Sequence, residues 1–429
     1  MMERYSEYKE SGVKWLGEIP SHWEVKRLGS FFSERKEKVS DQDYAPLSVT
    51  KQGIFPQLEN VAKTNDGDNR KLVKEGDFVI NSRSDRKGSS GVSELDGSVS
   101  LINLVLQPRK TIFGPFCNYL LKSYGFIEEN YRNGRGIVAD LWTTRYNEMK
   151  MIKVAMPSLE EQKTISSYLD SATSELDKAI AMQQKMIDLL NERKQIIIQN
   201  AVTKGLDENV EMKESGVEFV NEIPHNWSTR RLKFSAWIRA RLGWKGLKAS
   251  EYVENGYPFL SAFNIENDHM KWNNLNFINK YRYDESPEIK LKVGDLLLVK
   301  DGAGIGKCAR IDKLPYGEST ANGSLAVITS YDMLDYRYLY YFMVSKSFKD
   351  HTELLINGMG VPHFTQGEMK KIVMPVPPQA EQQQIVTYLD GEMQRFDSAI
   401  TNCQRQITLL QERKQIIINE VVTGKVRVS

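Results

Sequence analysis

The stretch Lys300-Asp301-Gly302-Ala303-Gly304-Ile305-Gly306-Lys307-Cys308 comes nearest to a chemistry of its own. Glycines with a lysine after an apolar run can cradle phosphate on backbone N–H groups. The detail argues against that use. A phosphate loop needs Gly-x-x-x-x-Gly-Lys followed by Ser or Thr to hold magnesium, whereas here the glycines alternate and Cys308 follows the lysine. The matching stretch of the first half, Asn81 to Gly91, keeps only polar and glycine character. Both read as tight turns that bring Lys300 and Lys307, or Arg83, Arg86 and Lys87, to a surface.

Other chemistries lack their residues. An adenine methyltransferase would carry an Asn-Pro-Pro-aromatic motif with a glycine-rich loop for its methyl donor, and neither is present. No Ser/His/Asp or Cys/His order stands out, and no acidic cluster has the form of a magnesium nuclease site. Cys117, Cys308 and Cys403 are far apart, and the five histidines are scattered, so neither a disulfide framework nor a metal site is expected. The sequence predicts a chain without a catalytic centre, bound metal or cofactor.

What remains is positive charge interleaved with aromatic rings. The first half offers Arg70, Lys71, Arg83, Arg86, Lys87, Arg132, Arg135 and Arg145 beside Trp142 and Tyr146. The second offers Arg239, Arg241, Lys245, Lys300, Lys307 and His363 beside Trp244 and Trp272. Such side chains displace counterions from phosphates, and Arg, Asn and His also read base edges. A formal net charge of +2 rules out a polybasic arm but leaves room for a local basic groove.

The elements that must position these residues are written twice. Glu192-Arg193-Lys194-Gln195-Ile196-Ile197-Ile198 returns unchanged at Glu412 to Ile418, and Lys9-Glu10-Ser11-Gly12-Val13 returns at Lys213 to Val217. Glu18-Ile19-Pro20 with Trp23 answers Glu222-Ile223-Pro224 with Trp227, and 161–203 and 381–423 agree at roughly half their positions. The middles differ almost freely, and the period is too long for a solenoid unit.

Each copy ends in a long helix without proline, with a seam at Ile165, Leu169, Ala172, Leu176, Ala179, Met186, Leu190 and Ile197, then Ile385, Leu389, Phe396, Ala399, Leu410 and Ile417. Gly391 is expected to weaken the early turns of the second. A rod of that length, roughly 65 Å at 1.5 Å per residue, leaves an apolar stripe in water unless covered. Antiparallel pairing of the two copies would cover it and relate the domains by a pseudo-twofold axis, and folding back on its own domain is the alternative. Apolar runs at 77–80, 100–106, 296–299 and 325–328 read as strands, with helical pieces at 115–130 and 335–350. The predicted class is α+β, with two mixed domains joined by two long helices forming an antiparallel coiled coil. The predicted boundaries are 1–157, 158–204, 205–377 and 378–429. No apolar run is long enough to span a membrane and Met1 to Tyr5 has no apolar core, so a cytoplasmic protein is expected.

Taken together, these residues resemble the specificity subunit of type I restriction-modification enzymes. The resemblance is carried by Ser11-Gly12-Val13 through Arg27-Leu28, the Gly76-Asp77 and Gly294-Asp295 strand entries, and Asn133-Gly134-Arg135-Gly136 with Asn357-Gly358-Met359-Gly360. The helix openings from Pro157 to Gln162 and Pro377 to Gln382 complete it. It covers essentially the whole chain. It implies two target-recognition domains, each reading one half of a split, asymmetric double-stranded DNA sequence. It also implies docking of two modification (methyltransferase) subunits and of restriction subunits, with S-adenosylmethionine, Mg and ATP on those partners. The first half departs by four extra residues around Trp142. A single-chain methyltransferase or nuclease, or a protein-binding scaffold without DNA contact, is the alternative reading; binding of S-adenosylmethionine to the chain alone would favour the enzyme.

Overall fold

With proline absent from two long amphipathic stretches, nothing interrupts their hydrogen-bond ladders. In the computed structural model, which describes residues 3–57, 67–136, 142–242, 246–302, 304–357 and 363–428, Leu159–Lys204 is one helix of 46 residues and Gln379–Val422 another of 44. Glu160 and Glu161 open the first and Glu381 the second, where carboxylates meet the positive end of the helix dipole. Gly205 and Gly424, at φ +77° and +73°, end them in the left-handed conformation that a helix stop favours. Gly391 does not break the second helix. Leu389 and Met393 on either side are buried, and such packing outweighs the cost of about 1 kcal/mol for a helical glycine.

The chain divides into two compact units, Met1–Gln184 with Gln404–Ser429, and Lys185–Cys403. In the first, an antiparallel sheet runs in the order Ser90–Val92, Phe78–Asn81, Asn103–Pro108, Phe32–Glu34. Its faces alternate residue by residue. Phe78, Ile80, Leu104 and Leu106 enter a core with Trp23, Phe116, Phe126, Ile165 and Leu169, while Val79 and Val105 enter a smaller one with Leu47, Val73 and Val99. Burial on both sides explains why these strands read as continuous apolar runs rather than as alternating ones. The predicted helix at 115–130 is two helices, Gly114–Lys122 and Tyr124–Arg132. They divide at buried Ser123, whose hydroxyl donates to Leu120 O at 2.7 Å and accepts from Phe126 N at 3.4 Å.

The second unit repeats this plan with other residues. Its sheet runs Cys308–Arg310, Asp295–Val299, Leu325–Ser330, Ala236–Arg239, all antiparallel. Leu296, Leu298, Ala326 and Ile328 face one core; Leu297, Val299, Leu325 and Val327 face the other. Tyr336–Val344 and Lys346–Asn357 divide at buried Ser345, in the manner of Ser123.

Inside each unit the start of one long helix meets the end of the other. Ile165, Leu169 and Leu176 share the first core with Ile417, Ile418 and Val421. Ile385, Leu389 and Met393 share the second with Ile198, Ala201 and Val202. The same ion pair clasps each meeting: Lys414 Nζ to Asp177 at 2.7 Å in the first unit, Lys194 Nζ to Asp397 at 2.7 Å in the second. Each helix start thus packs both on its own domain and on its counterpart's end. Ile197, Phe396 and Leu410 pack partly buried against these cores, and Leu190 is half-buried. Met186, expected in the seam, is 49% exposed, since a narrow seam covers only one stripe of the helix.

Chain ends also meet within the first unit. Arg427 N donates to Glu3 O at 2.8 Å, and Tyr8 Oη donates to Lys425 O at 3.1 Å. A Cβ on Gly424 would lie 2.4 Å from Pro20 and 3.2 Å from Trp23; on Gly205 it would lie 3.0 Å from Glu381 and 3.3 Å from Trp227. The twice-written Pro and Trp are therefore the seats on which the helix ends rest.

Candidate nucleic-acid interface

The repeated frame fixes both ends of one strand per unit. At the entry, Gly76 and Gly294 adopt φ +85° and +92°, which places the next carboxylate under its own loop. Asp77 accepts from Lys74 N at 2.9 Å and is held by Arg35 at 2.7 and 3.1 Å. Asp295 accepts from Lys292 N at 2.9 Å and from Arg239 at 2.8 Å. The Gly-Asp motif is thus a buried structural clamp. Helix openings are clamped too. Glu161 accepts from Trp23 Nε1 at 3.0 Å. Gln162 accepts from Phe113 N at 2.8 Å and donates to Pro157 O at 3.0 Å, and Gln382 does the same for Asp335 N and Pro377 O.

At the strand exits, loops collect that differ in sequence but share their backbone bonds. Ser82 N donates to Ile102 O at 3.2 Å and Thr144 N to Ser82 O at 3.0 Å. Lys300 N donates to Ser324 O at 2.9 Å and Phe364 N to Lys300 O at 2.9 Å. Arg83 bridges Thr143 as Asp301 bridges His363. Arg83 and Asp301 therefore hold the same position in the two units and offer opposite hydrogen-bonding character.

In the first unit this loop cluster exposes Arg83, Arg86 and Arg145. Arg135 is 82% exposed, 3.4 Å from Glu148, and Arg132 is exposed and bonded to Glu129 at 2.7 Å. Lys87 is half-buried, bonded to Glu128 at 2.7 Å, with its ammonium 4.4 Å from the Tyr131 ring centre. Trp142 donates to Tyr131 O at 2.8 Å and Tyr146 to Phe32 O at 2.9 Å, so both rings brace the loops. In the second unit Lys307 is exposed, and Lys300 and His363 both contact Asp301.

Other candidates are moved off the surface. Arg70 is 5% exposed, donating to Ser98 Oγ at 2.8 Å and Ser98 O at 3.1 Å, and burial pulls its pKa down. Arg239 is 6% exposed in its pair with Asp295; burial lowers its pKa against the opposing pull of that carboxylate. Lys71 donates to Asn103 O at 2.8 Å and Arg241 pairs with Glu285 at 3.2 Å, each largely covered. The physical reason is common to all four: they stand on or beside sheet strands and turn inward. Lys245 and Trp244 lie outside the described residues, as do Gly358-Met359-Gly360 and most of the extra residues before Trp142.

Sequence reasoning passed over Lys51 and Lys122, which line one groove with Lys87 and Lys414. Their separation along the chain left no local signal. Among the described residues no group of three or more His, Cys, Asp or Glu side chains is placed to hold a metal ion, and no helix is long and apolar enough to cross a membrane. The exposed guanidinium and ammonium groups suit phosphate and base-edge contacts.

Comparison with known proteins agrees. Residues 226–411 match the type I restriction modification DNA specificity domain. The MjaVIII specificity subunit of Methanocaldococcus jannaschii is 26% identical over 98% of this chain and 97% of its own length. The EcoKI specificity subunit of Escherichia coli K12 is 24% identical over 49% of this chain and 44% of its own. A chain from a study of complex assembly and conformational transition in the type I R-M system shares the fold, with a TM-score of 0.69 at 16% identity over 94% of this chain and 98% of that one. The chain thus carries a match to that specificity domain in its second half and is similar along nearly all its length to specificity subunits of type I restriction enzymes.

Proposed function

We propose that this chain supplies sequence selectivity to a type I restriction-modification complex, its two domains reading the two halves of a split, asymmetric double-stranded DNA target. The observation that carries this is the pair of loop clusters on one strand-exit scaffold, with Arg83 on the first and Asp301 on the second. The same support with different contact residues is what two unlike half-sites require. Arg83, Arg86, Arg135 and Arg145 are the proposed contacts of the first domain, Lys307 and His363 those of the second.

The two long helices form an antiparallel coiled-coil spacer in this reading, and the equivalent Lys414–Asp177 and Lys194–Asp397 pairs support a pseudo-twofold arrangement. Helix length then sets the separation of the half-sites. Two modification subunits and, through them, restriction subunits dock on this frame in the cytoplasm. S-adenosylmethionine, magnesium and ATP belong to those partners, and this chain is the non-catalytic component. The test is methylation mapping in cells that contain the modification subunit, with and without this chain. A split adenine-methylated motif that disappears with the chain is expected; an unchanged methylome with an active modification subunit overturns the reading.

A further inference from the structure

A groove of about 780 Å³ in the first unit brings together Lys51, Lys87, Lys122 and Lys414 against two carboxylates, Glu128 and Asp177. Its formal excess of two positive charges equals that of the entire chain, +2. Two of the ammonium groups are matched: Lys87 with Glu128 and Lys414 with Asp177, each at 2.7 Å. The other two are not. Lys51 is exposed with no ion pair among the described residues, and Lys122 donates to a neutral group, Gln52 O at 3.2 Å. Burial and the facing Lys414 both push the Lys122 pKa down, so an anion entering the groove would relieve it.

The second unit treats the same place differently. Asp397, which answers Asp177, is met by His269 at 3.7 Å as well as by Lys194. Asp390, which answers Asp170, is held by Arg310 at 2.8 Å in addition to the tyrosine hydroxyl that both units provide, Tyr341 at 2.6 Å here and Tyr119 at 2.7 Å in the first unit. There the hairpin of Ile265–Glu266 and His269–Met270 supplies side chains of its own. Both carboxylates of the second unit thus have cation partners, whereas Lys51 and Lys122 of the first have no carboxylate partner among the described residues.

We propose that this groove is a phosphate track, in which Lys51 and Lys122 hold the sugar–phosphate backbone of the duplex as it leaves the first reading loop. Continuity points to DNA rather than to a small anion, because Lys87 and Gly88 lie both on that loop and in the groove wall. No base edge is needed for such contacts, so they position the duplex without selecting its sequence. The inference rests on the chain being a DNA reader.

The experiment uses the full chain assembled with its modification subunits, and duplexes carrying either the mapped target or a scrambled one. Binding is measured from about 50 to 200 mM KCl for the wild type, for Lys51→Ala/Lys122→Met and for Lys51→Ala alone. Methionine keeps the buried stem of Lys122, and the single variant at an exposed site guards against misfolding. The salt slope is expected to fall by about 0.9 for each lost phosphate contact, about 1.8 for the pair. Affinity for both duplexes should drop by about the same factor, with the methylated motif unchanged. Unaltered slopes in a complex that still prefers its target overturn the track alone. A relaxed motif would make these lysines readers of bases, and loss of subunit assembly would make the groove a protein-docking site; either result overturns the proposal. A wild-type complex with no preference for the mapped target defeats the DNA-reading function itself.

Discussion

Replacing Arg239 by methionine should wreck stability and leave selectivity intact in whatever protein still folds. Its guanidinium is 6% exposed and its partner Asp295 0%, so the variant strands a carboxylate in the sheet. Lys292 N, at 2.9 Å, and the Thr329 hydroxyl would be its remaining donors. Breaking a buried pair by removing one member costs about 3–5 kcal/mol. At roughly 2–4 °C per kcal/mol for a domain of 150–250 residues, the melting temperature of the second unit should fall by about 6–20 °C. Adding Asp295→Leu should restore part of this, leaving a deficit of about 1–3 kcal/mol because Lys292 N loses its acceptor. Thermal unfolding of the three proteins followed by near-ultraviolet circular dichroism, with methylation mapping of each, makes the measurement. A melting temperature unchanged in Arg239→Met together with a relaxed second half-site would refute the reasoning, since Arg239 would then be a reader.

Arg83→Ala and Arg86→Ala should leave stability within about 0.5 kcal/mol, as exposed sites do. If either arginine reads a base, selectivity at one position of the first half-site should weaken by about 1–3 kcal/mol in competitive duplex binding. Gly424→Ala should free the chain end, because φ +73° and a Cβ 2.4 Å from Pro20 disfavour any side chain; faster hydrogen exchange at Lys425 to Val428 is the readout, and unchanged protection would count against the docking. His269 has its pKa lowered from the ordinary 6.5 by burial and by Lys194, with Arg310 adding and Asp397 and Asp268 opposing. Its folded form thus binds fewer protons than the unfolded chain. It supports the second unit above about pH 6.5 and loses that contribution as the pH falls below it. His269→Gln should flatten the acid side of the stability profile, and an identical profile would remove His269 from the account.

The long helices were legible to within two residues because a repeated seam and its punctuation are local signals. The Gly-Asp strand entries were legible as markers of a shared fold, but not as clamps, since the arginines that answer Asp77 and Asp295, Arg35 just past the strand Phe32–Glu34 and Arg239 within Ala236–Arg239, lie far away in sequence. Charge type alone cannot tell Arg86 from Arg239. On a strand buried on both faces an inward arginine is held by a carboxylate, and only the pairing of Ala236–Arg239 with Leu325–Ser330 shows which way it turns. The groove of Lys51, Lys122 and Lys414 was invisible for a related reason: three separate elements assemble it.

Each central sheet is buried on both sides by separate cores, and this bears on how such a protein can change. Mutations behind Phe78 and Ile80, or Leu296 and Leu298, are answerable to the helices and to the twice-written Trp seats. Those behind Val79 and Val105, or Leu297 and Val327, answer only to neighbouring strands and loops of their own half. A lineage can therefore rewrite the outer layer, and with it the surroundings of the recognition loops, while the inner layer keeps the long helices and their Trp seats in register. Inheritance is split within single strands, odd residues free to drift and even residues held.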